Sequence, residues 1–555
     1  MGERIKKAIG VKGDFKSAIL PMINYSYANI FMGGAGYIIS MYFMVFLTDV
    51  VNLELDKAGV VVMIATLWDA VTDPVMGIIT DRTRSRFGKH RIHLLIGIPV
   101  LFVSYALLWN SFGLNAKSSP AGAMTYFVLI YMLYKTAYTI ISVPHTAMLP
   151  ELAPDYDLRT QYNSVGYIFN SAGMVPSFIV VVIILSLFGS NDNLTSESKM
   201  PFLIIGIALA AVYSAATFAT FKTTREPDSR SMKVEPLDIK YIINEYVLVF
   251  KNRSFRQYFF MSLAYQVSTG FYANTKVYFI KYLANQYSKY ALFNAVAGAA
   301  EASAFPLNYA LTMKFGKKRC GAIVTPLMVA GLAIGLFMQP DRHNGLSVLW
   351  FLLMMLSMIL YPFGMSGLGF VTNNIFPDLT DVDEMITGRR REGVISTFST
   401  LIKKSISGVM AALVGFTLKY FGLVTGDTVS QYEAAGKVFT QSNQAIWGVR
   451  VCVAVIPIIA SLISLFALKK FQMTKDDHAL IRAAVATKKK YGSVTLTAEQ
   501  KARCELIAGQ TMEHMWLGLE NEAGEPHPVE ANENGEYDIL LEAEALLKTG
   551  GEINE

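Results

Sequence analysis

The chain has 555 residues, of which 53% are hydrophobic and only 17% charged. A water-soluble protein of this length carries about a quarter charged residues, so a purely soluble globular fold is excluded. The net charge of +6 sits in a few short loops between apolar segments, which speaks for membrane topology and against a nucleic-acid partner.

Apolar segments long enough to span a bilayer recur at 22–48, 57–81, 92–110, 122–148, 161–188, 200–221, 255–283, 288–312, 320–338, 346–372, 394–422 and 445–468. They predict an all-α polytopic membrane protein with twelve transmembrane helices. The opening MGERIKKAIGVKGDF leads a charged region straight into span 1 without a small-residue cleavage site, so no cleavable signal peptide is expected. Lys6 stands where myristoylation needs Ser or Thr.

The loop after span 2 holds Arg82, Arg84, Arg86, Lys89 and Arg91. The loop after span 8 holds Lys314, Lys317, Lys318 and Arg319, and Arg389, Arg390 and Arg391 precede span 11. The alternate loops carry about one basic residue each: Lys117, Lys199, Lys289, Arg342 and Lys437. The positive-inside rule then places both termini in the cytoplasm of a multi-pass plasma-membrane protein. Cys320, Cys452 and Cys504 have neither pairing nor metal-ligand spacing.

RFGKHR (86–91) returns as KFGKKR (314–319), and LPELAPDYD (149–157) returns in pattern as FPDLTDVDE (376–384). Two matches at nearly one offset, in equivalent loops, indicate two six-helix halves related by an axis along the membrane normal. The predicted organisation is an N-terminal bundle (1–221), a cytoplasmic linker (222–254), a C-terminal bundle (255–469) and a cytoplasmic tail (470–555), partly helical with an acidic end. Thr497 to Gln500 is a capping-box pattern that opens one tail helix. The tail as a whole is expected to be solvated.

Asp69 and Asp73 interrupt span 2 at helical spacing and so share one face. A carboxylate at this depth costs at least about 2.5–3.5 kcal/mol, so it faces a cavity or a partner. Two such groups this close disfavour joint ionisation, which favours a shared proton or a cation between them. Na⁺ prefers oxygen ligands, and the hydroxyls of Thr72 and Thr400 are candidate companions. Pro74 frees a backbone carbonyl one turn earlier. An interhelical ion pair is the structural alternative. Lys135 in span 4 is its candidate partner, or would face an anionic group on a substrate; of Lys403 and Lys404 at the start of span 11, one is expected to snorkel to the cytoplasmic surface while Lys404 is a candidate substrate contact, and Lys276 lies in span 7. Glu301 stands at the repeat's counterpart of Asp73. His145 follows Pro144 and reads as a hydrogen-bonded structural residue. Asp81, Arg82, Arg84, Glu151 and Arg159 in one half, with Asp378 and Arg389 in the other, are candidates for ion pairs that open and close the cytoplasmic end.

WDAVTDPVMGIITDRTRSRFGKHR (68–91) resembles the signature of the glycoside–pentoside–hexuronide:cation symporters, the melibiose permease-like branch of the major facilitator superfamily. MYFMVFLTDVV (41–51), AYTIISVPHTAMLPEL (137–152) and FPDLTDVDEMITGRRREGVISTFSTLIKK (376–404) add to the likeness, which covers about 15–470. The resemblance implies sugar symport with Na⁺, H⁺ or Li⁺. It places the family's paired aspartates on Asp69 and Asp73, its helix-eleven lysine on Lys404 and a hydroxyl ligand on Thr400.

The family's acidic and arginine sugar clamp falls on Gly33, Ser142 and Tyr167, so that clamp is missing, while Tyr138 keeps a pocket tyrosine. Fewer acids and the added Lys135 point to a glycoside bearing a carboxylate. The expected ligands are therefore a small-molecule glycoside and a coupling cation, bound by a monomer embedded in the bilayer, with no other cofactor and no nucleic acid. A lysolipid carrier or a membrane sugar sensor are the competing readings. No G-x-S-x-G, H-E-x-x-H or phosphate-loop pattern suggests an enzyme.

Overall fold

The computed structural model describes residues 19–529, apart from 115, 117, 154–155, 189–193, 231–246, 340–346, 390, 427–428, 430–431, 433–438 and 520–526. About half of the linker, the acidic end of the tail and the Arg159 side chain therefore lie outside the described residues. Helices follow one another as α1 (Leu20–Ile38), α2 (Leu55–Arg82), α3 (Arg91–Leu108), α4 (Pro120–Leu152), α5 (Tyr156–Leu187) and α6 (Lys199–Thr223). The second series is α7 (Arg253–Tyr278), α8 (Tyr290–Phe337), α9 (Val348–Thr387), α10 (Glu392–Tyr420) and α11 (Asn443–Lys470). Two further helices, α12 (Lys475–Tyr491) and α13 (Ala498–Ala508), follow. Among the described residues nine helices are long and apolar enough to cross a membrane.

One of the nine, α8, is two rods. A straight helix of its 48 residues would run about 72 Å at 1.5 Å per residue, more than twice the roughly 30 Å hydrocarbon core. Gly316, at φ 79° and ψ 165°, breaks it, and glycine adopts this conformation without steric cost. The chain doubles back there, because the Cys320 thiol lies 3.8 Å from the Asn308 carbonyl oxygen; along a straight helix that separation would be about 18 Å.

The repeat recurs in three dimensions. Gly88 and Gly316 both take positive φ, and the lysine after each reaches an acid at the end of the half's fourth helix. These pairs are Lys89 with Glu151, 2.8 Å apart, and Lys317 with Asp378. At the opposite end a second repeated device appears. Both α1 and α7 continue through a wide π turn, Phe46–Val50 in one half and Phe279–Leu283 in the other. Val51 N–H donates to Phe46 O and Ala284 N–H to Phe279 O; Leu53 and Gln286 likewise reach Leu47 and Ile280. Each turn ends on an asparagine in the left-handed region, Asn52 (φ 64°) and Asn285 (φ 49°), a conformation asparagine tolerates.

Close helix contacts depend on small residues, as they do in bilayers. A Cβ on Gly33 of α1 would lie 2.2 Å from the Asn170 carbonyl oxygen of α5. Between the halves, Gly59 of α2 meets Ala411 of α10, and Gly415 of α10 meets Leu55 of α2.

The tail region departs from the solvated segment expected. Helix α12 opens on a capping box between Thr474 and Asp477 and buries Leu480, Ile481, Ala484 and Val485. His478 Nε2 lies 2.7 Å from Asp381 of α9, Lys489 pairs with Glu384 of α9, and Ser254 Oγ donates to Ile507 O at 2.8 Å. Lys488 donates to the carbonyls of Trp516, Leu517 and Leu519, closing the turn below. These partners lie on α7, α9 and the tail itself, so α12 and α13 dock on the second half.

Burial works to raise the pKa of Asp477, but hydrogen bonds from Arg503 and Thr474 outweigh it and hold the carboxyl below its ordinary value. A depressed carboxylate contributes stability that is present above its unfolded pKa and is lost as pH falls through the folded one. Asp477→Asn is expected to destabilise the protein by about 1.5–3 kcal/mol, the range for hydrogen bonds to a charged group. In thermal unfolding followed against pH, the gap from wild type should close below about pH 4.

Candidate functional site

Four side chains from three helices converge near the middle of the bundle. Asp69 and Asp73 project from one face of α2, and Lys404 of α10 bridges them, 3.0 Å from Asp69 Oδ2 and hydrogen-bonded to Asp73 Oδ2. Lys135 of α4 lies 3.4 Å from the same oxygen of Asp69. Thr139, one turn beyond Lys135, sets its hydroxyl 3.1 Å from Asp69 Oδ1 and 2.8 Å from Asp73 Oδ1. Asp69 is buried, with 1% of its surface exposed. Tyr131 carries Lys135 over its ring at 5.8 Å, and Tyr138 packs its ring 5.4 Å from Phe31 of α1.

Two carboxylates thus face two ammoniums. Buried charges need paired partners of this kind, and the outer pair of carboxylate oxygens is taken by Lys404. The inner pair converges on the Thr139 hydroxyl, an all-oxygen cluster of the type hard cations select.

Other predicted residues stand elsewhere. Thr72 donates its hydroxyl to the Asp69 carbonyl oxygen at 3.2 Å, one turn back on its own helix. Thr400 is exposed and has no hydrogen bond to either aspartate among the described residues. Gly33 is enclosed in the α1–α5 contact. Tyr167 is 77% exposed, and half-buried Ser142 accepts from Thr146 through its carbonyl at 2.9 Å. His145 is buried, stacks on Tyr25 at 4.2 Å and bonds its carbonyl. Thr139 escaped the sequence reading, although its spacing from Lys135 puts both on one face of α4.

At the end carrying the tail, ion pairs among the described residues stay within one half. Glu151 pairs with Lys89, and its hydrogen bond raises that ammonium above the usual lysine range. Asp378 pairs with Lys317 and Arg391 with Asp383. Asp81, Arg82, Arg84 and Arg389 make no ion pair among the described residues. Glu226, beside His90 and Glu151, accepts the His90 and Arg91 N–H groups at 3.0 Å each. It is therefore an anion capping the start of α3, with its oxygens committed to the helix rather than to a metal.

The far end is sealed between the halves. Lys281 of the α7 π turn pairs with Asp49 of the α1 π turn, and Asp49 is fully buried. Tyr282 Oη stands 3.1 Å from Asp49 Oδ2, Thr48 donates to Asp49 Oδ1 at 2.8 Å, and Thr48 Oγ1 lies 3.3 Å from Tyr278 Oη. Beside this seal Lys419 of α10 meets Glu54 and Asp56 at the start of α2. No sequence signal paired Asp49 with Lys281, since the contact joins the two halves.

Two helical bundles held around a shared charged centre have the architecture of a membrane transporter. The family described as "MFS/sugar transport protein" matches residues 24–475, and the chain belongs to it. A relative described as an uncharacterized symporter of Synechocystis sp. (strain ATCC 27184 / PCC 6803 / Kazusa) is 24% identical over 521 residues, covering 80% of this chain and 92% of the relative. The raffinose carrier protein of Pediococcus pentosaceus is 25% identical, covering 86% of this chain and 74% of its own. Among solved structures, the nucleoside transporter NupG aligns with a TM-score of 0.53 at 14% identity, over 82% of this chain and 98% of that one. The fold is that of the major facilitator superfamily, and these relatives agree with the glycoside–cation symporter resemblance read in the motifs.

Breaking a buried ion pair by removing one partner costs about 3–5 kcal/mol, because the other charge is stranded. Asp49→Asn and Lys281→Met are each expected to destabilise this state by that amount, and the double variant by much less. Thermal unfolding of the four proteins gives the double-mutant cycle that checks it.

Proposed function

We propose that the protein is a twelve-span secondary transporter that couples uptake of a neutral glycoside to a cation, Na⁺ or H⁺, taken up by Asp69 and Asp73. The bridging of both carboxylates by Lys404 carries this reading. In the state described, Lys404 occupies the place of the coupling cation. An arriving Na⁺, held by the carboxylates and Thr139, or a proton on one aspartate, displaces the ammonium. Lys404 then turns to an oxygen of the sugar beside Tyr138, so cation and sugar each favour the other's binding.

Closure at the far end, with no ion pair between the halves among the described residues of the tail end, supports an inward-open state when the basic loops and both termini are cytoplasmic. Alternating access then requires Asp49 and Lys281 to part while the tail-end loops, including Glu151, Arg159, Asp378 and Arg389, come together across the halves. Lys135 is already engaged with Asp69, which removes the main reason to expect an acidic sugar. Raffinose, for which one relative is named, is an uncharged glycoside.

Purified protein binding to neutral glycosides, pentosides and uronides, in Na⁺ and in choline at equal ionic strength, tests the reading. Affinity for a neutral sugar should rise with Na⁺ or with falling pH, and Asp69→Asn and Asp73→Asn should lose that rise. Lys404→Met should bind the cation more tightly while losing its effect on sugar affinity. Sugar binding indifferent to both Na⁺ and pH would sink the coupling, and absence of sugar binding would favour a lipid carrier or a sensor.

A further inference from the structure

A cavity of about 350 Å³ lies between the halves at the far end. Thr48, Asn52, Glu54 and Lys57 of the first half line it, with Lys419 and Thr425 of the second. Thr48 also donates to Asp49 of the seal, so cavity and seal share a wall. The volume falls within the roughly 300–1,000 Å³ of small-molecule sites, which favour interfaces between domains. Glu54 and Lys419 are exposed, so solvent reaches the cavity from the end opposite the tail.

The walls are held in place by the chain itself. Ala116 N–H donates to the Val51 carbonyl at 3.2 Å, which fixes the segment before α4 against the first half's π turn. Gln441 clamps the turn after α10, accepting from Val424 N–H at 3.1 Å and donating to the Val424 carbonyl at 2.7 Å. Gly426, at φ 71°, completes that turn, and a Cβ there would lie 2.4 Å from Asn52 Oδ1.

Charge around the cavity cancels. Lys57 lies 2.9 Å from Glu54, while Lys419 pairs with Glu54 and stands 2.8 Å from Asp56. Two ammoniums therefore face two carboxylates, and an ion of either sign would meet a like charge beside each opposite one. Bonding capacity remains. Among the described residues Lys57 uses one of an ammonium's three donors and Lys419 two. Donors and acceptors side by side, without net charge, match the hydroxyls of a sugar, each of which both donates and accepts.

We propose that this cavity is an outer sugar site, which takes a neutral glycoside while the far end is sealed. Lys57 and Lys419 donate to sugar oxygens, and Glu54 accepts from a hydroxyl. The assignment rests on the glycoside reading above and adds a second site to it. Asp69 stands twelve residues along α2 from Lys57, about 18 Å at the helical rise, so this site is distinct from the cation centre. A sugar touching Glu54 in one half and Lys419 in the other favours the sealed state over any state in which the halves part there. Concentrated sugar on that side therefore slows its own uptake.

The test uses the full chain and calorimetric titration with raffinose, p-nitrophenyl α-galactoside and glucuronate, in Na⁺ and in choline. Wild type is expected to bind two neutral sugars, one with affinity linked to Na⁺ or pH. The other should be indifferent to both between about pH 6 and 8, where a glutamate stays ionised. Thr425→Trp, which fills the cavity, should weaken the indifferent site about tenfold or more and keep the linked one. Thr425→Cys offers a second readout, because Cys320, Cys452 and Cys504 are free and buried. A membrane-impermeant maleimide should label it, and sugar should slow that labelling over the concentration range of the indifferent site.

A single, cation-linked site in wild type would overturn the assignment. So would protection of Thr425→Cys that follows the cation-linked affinity, or glucuronate outcompeting neutral sugars at the indifferent site. Where Thr425→Trp does not fold, Lys57→Ala decides. An indifferent site weakened about tenfold, as for loss of a hydrogen bond to a charged group, supports the proposal, and unchanged binding removes it. Wild type binding no sugar at all would overturn the glycoside reading itself.

Discussion

Asp69 and Asp73 are the constraint on which the centre of the molecule depends. Two carboxylates on one helical face inside a bilayer cannot both be ionised unless positive charge is brought to them. The chain brings it from two other helices, Lys404 on α10 and Lys135 on α4. Since α10 belongs to the second half, electrostatic neutrality at the centre is also a contact between halves. Anything that replaces Lys404 therefore alters how the bundles attract one another.

The two ends of the molecule answer to this centre differently. At the tail end, each loop after the second helix of a half is tied by a lysine to the end of that half's own fourth helix. Such ties brace each half and do not join the two. At the far end the repeated π turns have diverged in charge, with Asp49 in one and Lys281 in the other. Equal turns with opposite charges, related by a pseudo-twofold axis, make a natural interlock between bundles.

The class of fold was legible from hydrophobic length alone, and the halves were legible because RFGKHR and KFGKKR share a glycine that the backbone needs at φ 92° and φ 79°. Asp69, Asp73 and Lys404 stood out because charge is conspicuous in apolar sequence. Thr139 did not, since threonine is ordinary in a membrane helix and only the fold brings its hydroxyl to both carboxylates. Gly33 misled in the opposite way: its position suggested a lost sugar contact, whereas α5 approaches so closely that only glycine fits. Asp49 and Lys281 lie on separate halves, so no local pattern could pair them. The tail's helices were legible from their amphipathic and capping patterns, but an apolar stripe does not name the surface that covers it, so their docking on α7 and α9 was not.

Docking of α12 and α13 on α7 and α9 has a mechanical consequence. A structure bolted to one bundle turns with that bundle alone, so it acts as a pointer. Its tip sweeps an arc far wider than the displacement at the pivot, in the aqueous space beyond the bilayer. A change of angle between the bundles would thereby become a larger change of position at the outer end of the tail.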